Sequence, residues 1–175
     1  MLTKAQITEK LNANHNKLVE MVSSLSEADF LAAPSGKWTA GQQLEHIYKS
    51  VKPLTMAIGL PKIALRVLIG KANRPSRDYD AVVAKYHEAL AKGGKAPYSF
   101  IPAVVSYKDK DKLAAKVKRN VSKLISGLDR YSEQDLDKYL LPHPLLGGLT
   151  VREMLYFTIY HSEHHYKSIQ QNFGK

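Results

Sequence analysis

The sequence predicts an all-α fold of four principal helices, and three observations carry that reading. Apolar residues recur at helical spacing in four long segments, no segment alternates with period 2 for more than a few residues, and no internal repeat of about 20 to 50 residues is present. With 175 residues, 44% hydrophobic and 24% charged, the chain can bury an ordinary core as a single domain, residues 1–175. The same balance excludes the disordered, collagen-like and low-complexity classes.

The first helix is expected from about Thr3 to Ser24, where Ile7, Leu11, Leu18, Val22 and Leu25 form one apolar stripe. Pro34, Ser35 and Gly36 then break the chain. Thr39 followed by Gln42 reads as a capping box that opens a second helix near Ala40. Its stripe is Leu44, Ile47, Tyr48, Val51, Leu54 and Ile58, and Pro53, which lacks a backbone donor, is expected to bend or end it. From Gly59 to about Tyr107 the pattern is that of a long crossover: LPKIALRVLIGK is a short basic amphipathic helix, RPSRDYDAVVAKYHEALAKGG adds another, and APYSFIPAVV is interrupted by proline. A third helix follows from about Lys110 to Leu128, with Leu113, Val117, Val121, Leu124 and Leu128 inward and lysines outward. YSEQDLDKYLLPHPLLGG is a connector with one short turn. The last helix has the clearest start signal: Thr150 as N-cap, Glu153 three residues on, and Leu149 and Met154 placed as a hydrophobic staple. It is expected to run to about Gln171.

Cysteine is absent, so disulfides, thiolate metal sites and cysteine nucleophiles are all excluded, and any metal must be held by nitrogen and oxygen. No GxSxG nucleophile elbow occurs either. The N-terminus lacks a secretory apolar run and no stretch is long and apolar enough for a membrane span, so a cytoplasmic protein is expected. The net charge is +10, and an excess of nine positive charges lies between Leu60 and Arg119. A solvated lysine face is the commonest source of such an excess. Nucleic-acid binding is not expected, because only Tyr79, Tyr86, Tyr98 and Tyr107 accompany the charge, at irregular spacing. PKIALRVLIGKANR has the composition of a membrane-surface helix, with Leu60, Ile63, Ala64, Val67 and Leu68 beside Lys62, Arg66 and Lys71; at this length, packing on the bundle or on a dimer mate is favoured. A basic rim would also draw an anionic substrate inward.

Of the seven histidines, His161, His164 and His165 crowd one and a half turns of the last helix. His161 and His165 lie about 40° apart, sharing a face with Met154, Phe157, Thr158, Ser168 and Ile169, while His164 projects toward an edge. Two imidazoles one turn apart can grip one ion, but a chain with this many histidines yields about 0.3 such pairs by chance, so spacing leaves metal ligands and satisfied core histidines both open. Three protein ligands plus an open position define a catalytic site, and His46 on the second helix is the candidate third ligand. His46 falls outside that helix's apolar arc, beside Gln43 and Ser50, where a surface histidine fits equally well unless the interior holds a polar cavity at that level.

Other residues have structural readings beside functional ones. Trp38 either lines a pocket mouth or, as favoured here, anchors its loop on the bundle. His143, between two prolines, reads as a loop residue. Tyr156, Tyr160 and Tyr166 read as structural rather than as phenolic acids. Glu45 and Glu163 adjoin proposed ligands but diverge from them by about 100°, which leaves them at most as partners for a histidine on another helix.

GKWTAGQQLEHI, with Trp38 before a capped helix carrying His46, and LPHPLLGGLTVREMLYFTIYHSEHHYKSIQ at the C-terminus together resemble the DinB-like superfamily. The resemblance implies a four-helix bundle of up-down-down-up topology, often dimeric, with the long crossover between helices two and three. It also implies a divalent ion held by His46, His161 and His165. On that basis the expected function is a metal-dependent hydrolase or a thiol S-transferase acting on a small molecule, a thiol among the candidate substrates, with zinc, nickel or iron and an open coordination position. No catalytic side chain is assigned, because no carboxylate can be placed as general base. The alternative is a non-enzymatic dimeric binding or stress-related bundle with a structural or vestigial ion.

Overall fold

Four long helices carry the apolar stripes: α1 (Lys4–Ser24), α3 (Ala40–Gly59), α6 (Lys110–Leu128) and α8 (Val151–Phe173). A computed structural model describes residues 1–68 and 70–173, apart from the side chains of Ser35, Arg66, Leu68 and Phe173. Shorter helices lie between them, namely α2 (Glu27–Leu31), α4 (Lys62–Leu68), α5 (Tyr79–Ala91) and α7 (Glu133–Leu136), and a two-stranded hairpin, β1 (Leu140–His143) and β2 (Gly147–Thr150), precedes α8.

Side-chain pairings give the direction of each rod. The amide of Leu2 donates to the Tyr156 hydroxyl, Asn14 reaches the Ile159 carbonyl, and the Lys17 ammonium lies over the Tyr166 ring, so α1 and α8 run parallel. Thr55 of α3 reaches the Asn120 carbonyl, and Ile58 sits where a side chain on Gly127 would stand, so α3 and α6 also run parallel. Lys4 reaches the carbonyls of Leu128 and Tyr131 at the far end of α6, and Lys110 reaches those of Ser23 and Leu25, which makes α1 and α6 antiparallel. The result is an up-down-down-up four-helix bundle in which α1 and α3, consecutive in the chain, lie diagonally. Because α3 and α6 point the same way, the chain must return the length of the bundle between them, and residues 60–109 do this.

Both capping boxes expected on the long helices are formed. Thr39 and Gln42 satisfy each other's backbone amides at α3, and Thr150 and Glu153 do so at α8. The expected stripes are the core, with Ile7, Leu11, Leu18, Leu44, Ile58, Leu124 and Leu128 all essentially inaccessible. On α6 the side chains of Lys112, Lys116, Lys118, Arg119 and Lys123 are exposed, as a solvated face requires. Among the described residues no helix is long and apolar enough to cross a membrane.

One expectation is narrowed and two need correction. Pro53 does not end α3, which continues to Gly59, because a proline removes one hydrogen bond but the flanking Val51, Leu54 and Ile58 remain packed. The connector before α8 contains a hairpin, with Leu140 opposite Thr150 and His143 opposite Gly147. Its strands span four residues each, too short for an alternation signal, and Gly147 takes φ of 72°, which lets a three-residue loop close it. His143 is therefore a strand residue rather than a loop residue. Of the amphipathic segment after α3, Ile63 and Val67 are exposed and Leu65 is buried, while Ile69 and the side chains of Arg66 and Leu68 lie outside the described residues.

Two buried ionic clusters hold the crossover and the termini to the start of α8. The Glu153 carboxylate is inaccessible and receives both terminal nitrogens of Arg74 at 2.6 and 2.7 Å, the Arg77 amide at 2.7 Å and the Arg77 guanidinium at 3.2 Å. Burial alone would push its pKa up; the Arg74, Arg77 and Thr150 hydrogen bonds overcome this and hold it below the usual carboxylate value. Next to it, Arg152 binds Asp137, Glu133 and the Leu2 carbonyl, tying the N-terminus and α7 to α8.

His15 on α1 is buried, donates from Nδ1 to the Leu11 carbonyl at 2.7 Å, and leaves Nε2 without a partner. Burial pushes its pKa down to about 4. The unfolded chain therefore binds a proton that the native state refuses between pH 6.5 and about 4, and stability falls as pH falls through that window. His15→Leu should remove this penalty, so urea unfolding at pH 5 should show the variant gaining about 2 kcal/mol more over the parent than at pH 8. An equal difference at both pH values would show that His15 does not titrate in this way.

Candidate metal centre

The antiparallel crossing of α3 and α8 brings together three side chains that are far apart in the sequence. His46, from the first half of α3, and His161 and His165, one turn apart on α8, are all buried, with 6%, 5% and 7% of their surface exposed. The Nε2 atom of His161 lies 3.2 Å from that of His46 and 3.1 Å from that of His165. Among the described residues these three are the histidine, cysteine or acidic side chains that could share one ion.

Neighbouring groups decide which nitrogens face the centre. The Nδ1–H of His46 donates to the Phe100 carbonyl at 2.8 Å; a carbonyl only accepts, so the His46 proton is on Nδ1 and its Nε2 carries a bare lone pair. His165 is set through a relay. Gln43 donates from Nε2 to the Trp38 carbonyl at 3.3 Å, which turns its Oε1 toward His165, and the His165 Nδ1–H donates to that oxygen at 3.0 Å. His165 Nε2 is then also a bare acceptor. Two lone pairs thus converge on the His161 nitrogen, an arrangement that is satisfied by a shared proton or by a cation.

Burial lowers the pKa of all three imidazoles. For His46 the largest effect is desolvation, opposed by the Phe100 hydrogen bond. For His161 and His165 desolvation is joined by the neighbouring imidazoles, and both lie well below the ordinary histidine value. Protons are therefore weak competitors for this cluster near neutral pH.

A cavity of about 410 Å³ opens on the cluster. Its walls are mostly apolar, from Trp38, Val51, Leu54, Phe100, Leu141 and Phe157, and no Lys, Arg, Asp or Glu side chain lines it among the described residues. Four stretches of chain build most of it: α3 and α8 supply the three clustered histidines, the hairpin supplies Leu141 to Leu145, and the crossover supplies Tyr86, Leu90, Ala96, Pro97 and Phe100. Lys49 donates to the Ile101 carbonyl at 2.7 Å and keeps the crossover against α3 where Phe100 meets His46. Trp38 lies with its ring 4.9 Å from that of His46 and lines the cavity, so it is a wall as well as the source of the carbonyl acceptor that orients Gln43.

A profile of the DinB superfamily matches residues 10–169. The chain belongs to the DinB superfamily. Among solved structures this DinB protein is similar to YfiT from Bacillus subtilis, with a TM-score of 0.62 and 18% identity over 99% of this chain and 91% of that one. YfiT is described as "a probable metal-dependent hydrolase with an unusual four-helix bundle topology". No curated protein matches the chain.

Sequence reasoning on this DinB chain located the three imidazoles but not the groups that orient them. Gln43 lies three residues before His46, on the side of α3 already noted as polar, and that spacing was the available signal. The Phe100 carbonyl and His143 gave no local signal, since each depends on how the crossover or hairpin folds over the bundle. Glu45 makes no bond to the cluster, and Glu163 pairs with Lys167, so neither carboxylate orients a histidine. Tyr156 binds the Leu2 backbone, Tyr160 binds His87, and Tyr166 stacks under Lys17, in keeping with structural roles.

The relay has a spectroscopic consequence. In long-range ¹⁵N–¹H correlation spectra His165 should appear as the Nδ1–H tautomer, and Gln43→Leu should convert it to a mixture while leaving His46, held by Phe100, unchanged. An unaltered His165 pattern in that variant would rule the relay out.

Proposed function

We propose that this DinB-superfamily protein is a metal-dependent enzyme in which His46, His161 and His165 hold a divalent ion, zinc, nickel or iron, and that its reaction is hydrolysis of a small molecule bound in the adjoining cavity. The observation that carries this reading is the convergence of the three Nε2 atoms, two of them fixed as bare acceptors, at the floor of an open cavity. Metal–imidazole bonds of about 2.0–2.1 Å in tetrahedral array separate neighbouring nitrogens by about 3.3 Å. The separations of 3.1 and 3.2 Å fit such an ion with little movement.

Three ligands leave a coordination position free, as catalytic sites require and closed structural sites do not. Bound there, a divalent ion supplies Lewis acidity and an activated water near neutral pH. The chain's own residues do the rest. Phe100 and Gln43 fix the ligand tautomers, Trp38 and Phe157 exclude bulk water, and the apolar walls receive the substrate body. The structural similarity to YfiT, with a TM-score of 0.62, supports the fold, and the name of that protein adds the reaction class only as an analogy.

A second reading, thiol S-transfer at the same open position, is favoured by one observation. The lining offers no carboxylate general base among the described residues, and a thiol, which ionises far more readily than water, needs none. Supplying the metal-loaded protein with an aryl ester in water, and then with a thiol plus an alkyl halide, separates the two.

Purified protein should carry about one divalent ion per chain by elemental analysis, and His161→Ala should lose it. Gln43→Leu should bind the ion about 10- to 100-fold more weakly. Metal-free protein whose thermal midpoint does not move on adding zinc or nickel would overturn the assignment.

A further inference from the structure

We propose that His143 is a recognition group of this cavity, donating a hydrogen bond from its Nε2–H to a neutral acceptor oxygen on a ligand whose body is apolar. This rests on reading the cavity as a ligand site, as above, and adds the chemical class of what enters it.

The assignment follows from the hairpin. The backbone amides of Leu145 and Leu146 both donate to His143 Nδ1, at 3.2 and 3.1 Å. A nitrogen that accepts two N–H groups carries a lone pair and no proton, so the ring proton is on Nε2. The ring is held edge-on to Phe157, centroids 4.3 Å apart, and Phe157 in turn stacks on His161 at 4.8 Å. The donor is thus one aromatic ring away from the three-imidazole cluster. His143 lines the cavity, and its Nε2 has no hydrogen-bond partner among the described residues. Burial, reinforced by the nearby Lys85 ammonium, pushes its pKa down to about 4, so the ring stays neutral and keeps this donor at physiological pH.

The rest of the lining sets the ligand's class. At the His143 end of the cavity, away from the three-imidazole cluster, a charged group would lose its hydration with no Lys, Arg, Asp or Glu in the walls to replace it. The hydroxyls of Ser50 and Thr158 already donate to the carbonyls of His46 and Met154, so neither offers its proton to a ligand. A neutral molecule with an apolar body and a carbonyl-type oxygen satisfies both constraints.

Acetophenone and α-methylstyrene have nearly the same shape, the first with an oxygen where the second has a methylene, and serve as the probe pair. His143→Asn is the informative variant, because an asparagine oxygen can accept the Leu145 amide as Nδ1 does while reaching no further into the cavity. In NMR titrations, wild-type protein should bind acetophenone more tightly than α-methylstyrene. The variant should weaken acetophenone roughly tenfold and leave α-methylstyrene within twofold. Equal binding of the two probes to wild type, binding of neither, or equal weakening of both in the variant would overturn the proposal. So would a His143 tautomer protonated on Nδ1, a measurement that stands even if the variant fails to fold. Metal content decides the preceding reading separately: His143→Asn should retain the ion that His161→Ala loses.

Discussion

The arrangement depends on placing three imidazole nitrogens within 3.2 Å of their neighbour, away from water. Buried imidazoles without partners are unfavourable, and each of these is kept neutral by desolvation. Such a cluster persists only where the surrounding scaffold dictates it. Here the scaffold is two antiparallel helices whose core stripes lock their rotation, so that the residues beside the stripes meet in the middle. The orienting bonds from Phe100 and Gln43 finish the task by turning the acceptor side of two rings toward the third.

A second constraint is topological. With α3 and α6 parallel, the connection between them must climb back along the bundle, and it does so over the face that carries the histidines. Its position is set largely by Glu153, whose inaccessible carboxylate receives two arginines from the crossover. Desolvating the charges offsets much of their attraction, so this contact fixes geometry more than it adds stability. The same glutamate caps α8, and one side chain therefore ties helix initiation to the placement of the cavity wall.

Much of this was legible in the chain. Leu113 to Leu128 repeat at helical spacing and their helix forms over the expected range; Thr39 with Gln42 and Thr150 with Glu153 announce helix starts that the structure shows. His161 and His165 share a face by spacing alone. His46 was harder, since it lies off the apolar arc of α3 and is buried by long-range partners, the α8 histidines, Trp38 and the crossover. The hairpin escaped notice because four-residue strands carrying Pro142 and two glycines show no alternation. Of the two outcomes expected at Pro53, ending the helix was outweighed by tertiary packing. What could not be read was anything set by long-range contact, the Phe100 carbonyl and the His143 tautomer above all.

The ring of histidines and the chamber above it come from different parts of the chain. Two bundle helices make the first, while the return segment and a short hairpin wall much of the second. Changes of length or side chain in residues 60–109 that keep the Phe100 carbonyl on His46 can therefore reshape what is admitted without disturbing the histidine floor. An architecture divided in this way is suited to diversification, with new guests acquired by rewriting a loop and the three histidines left in place.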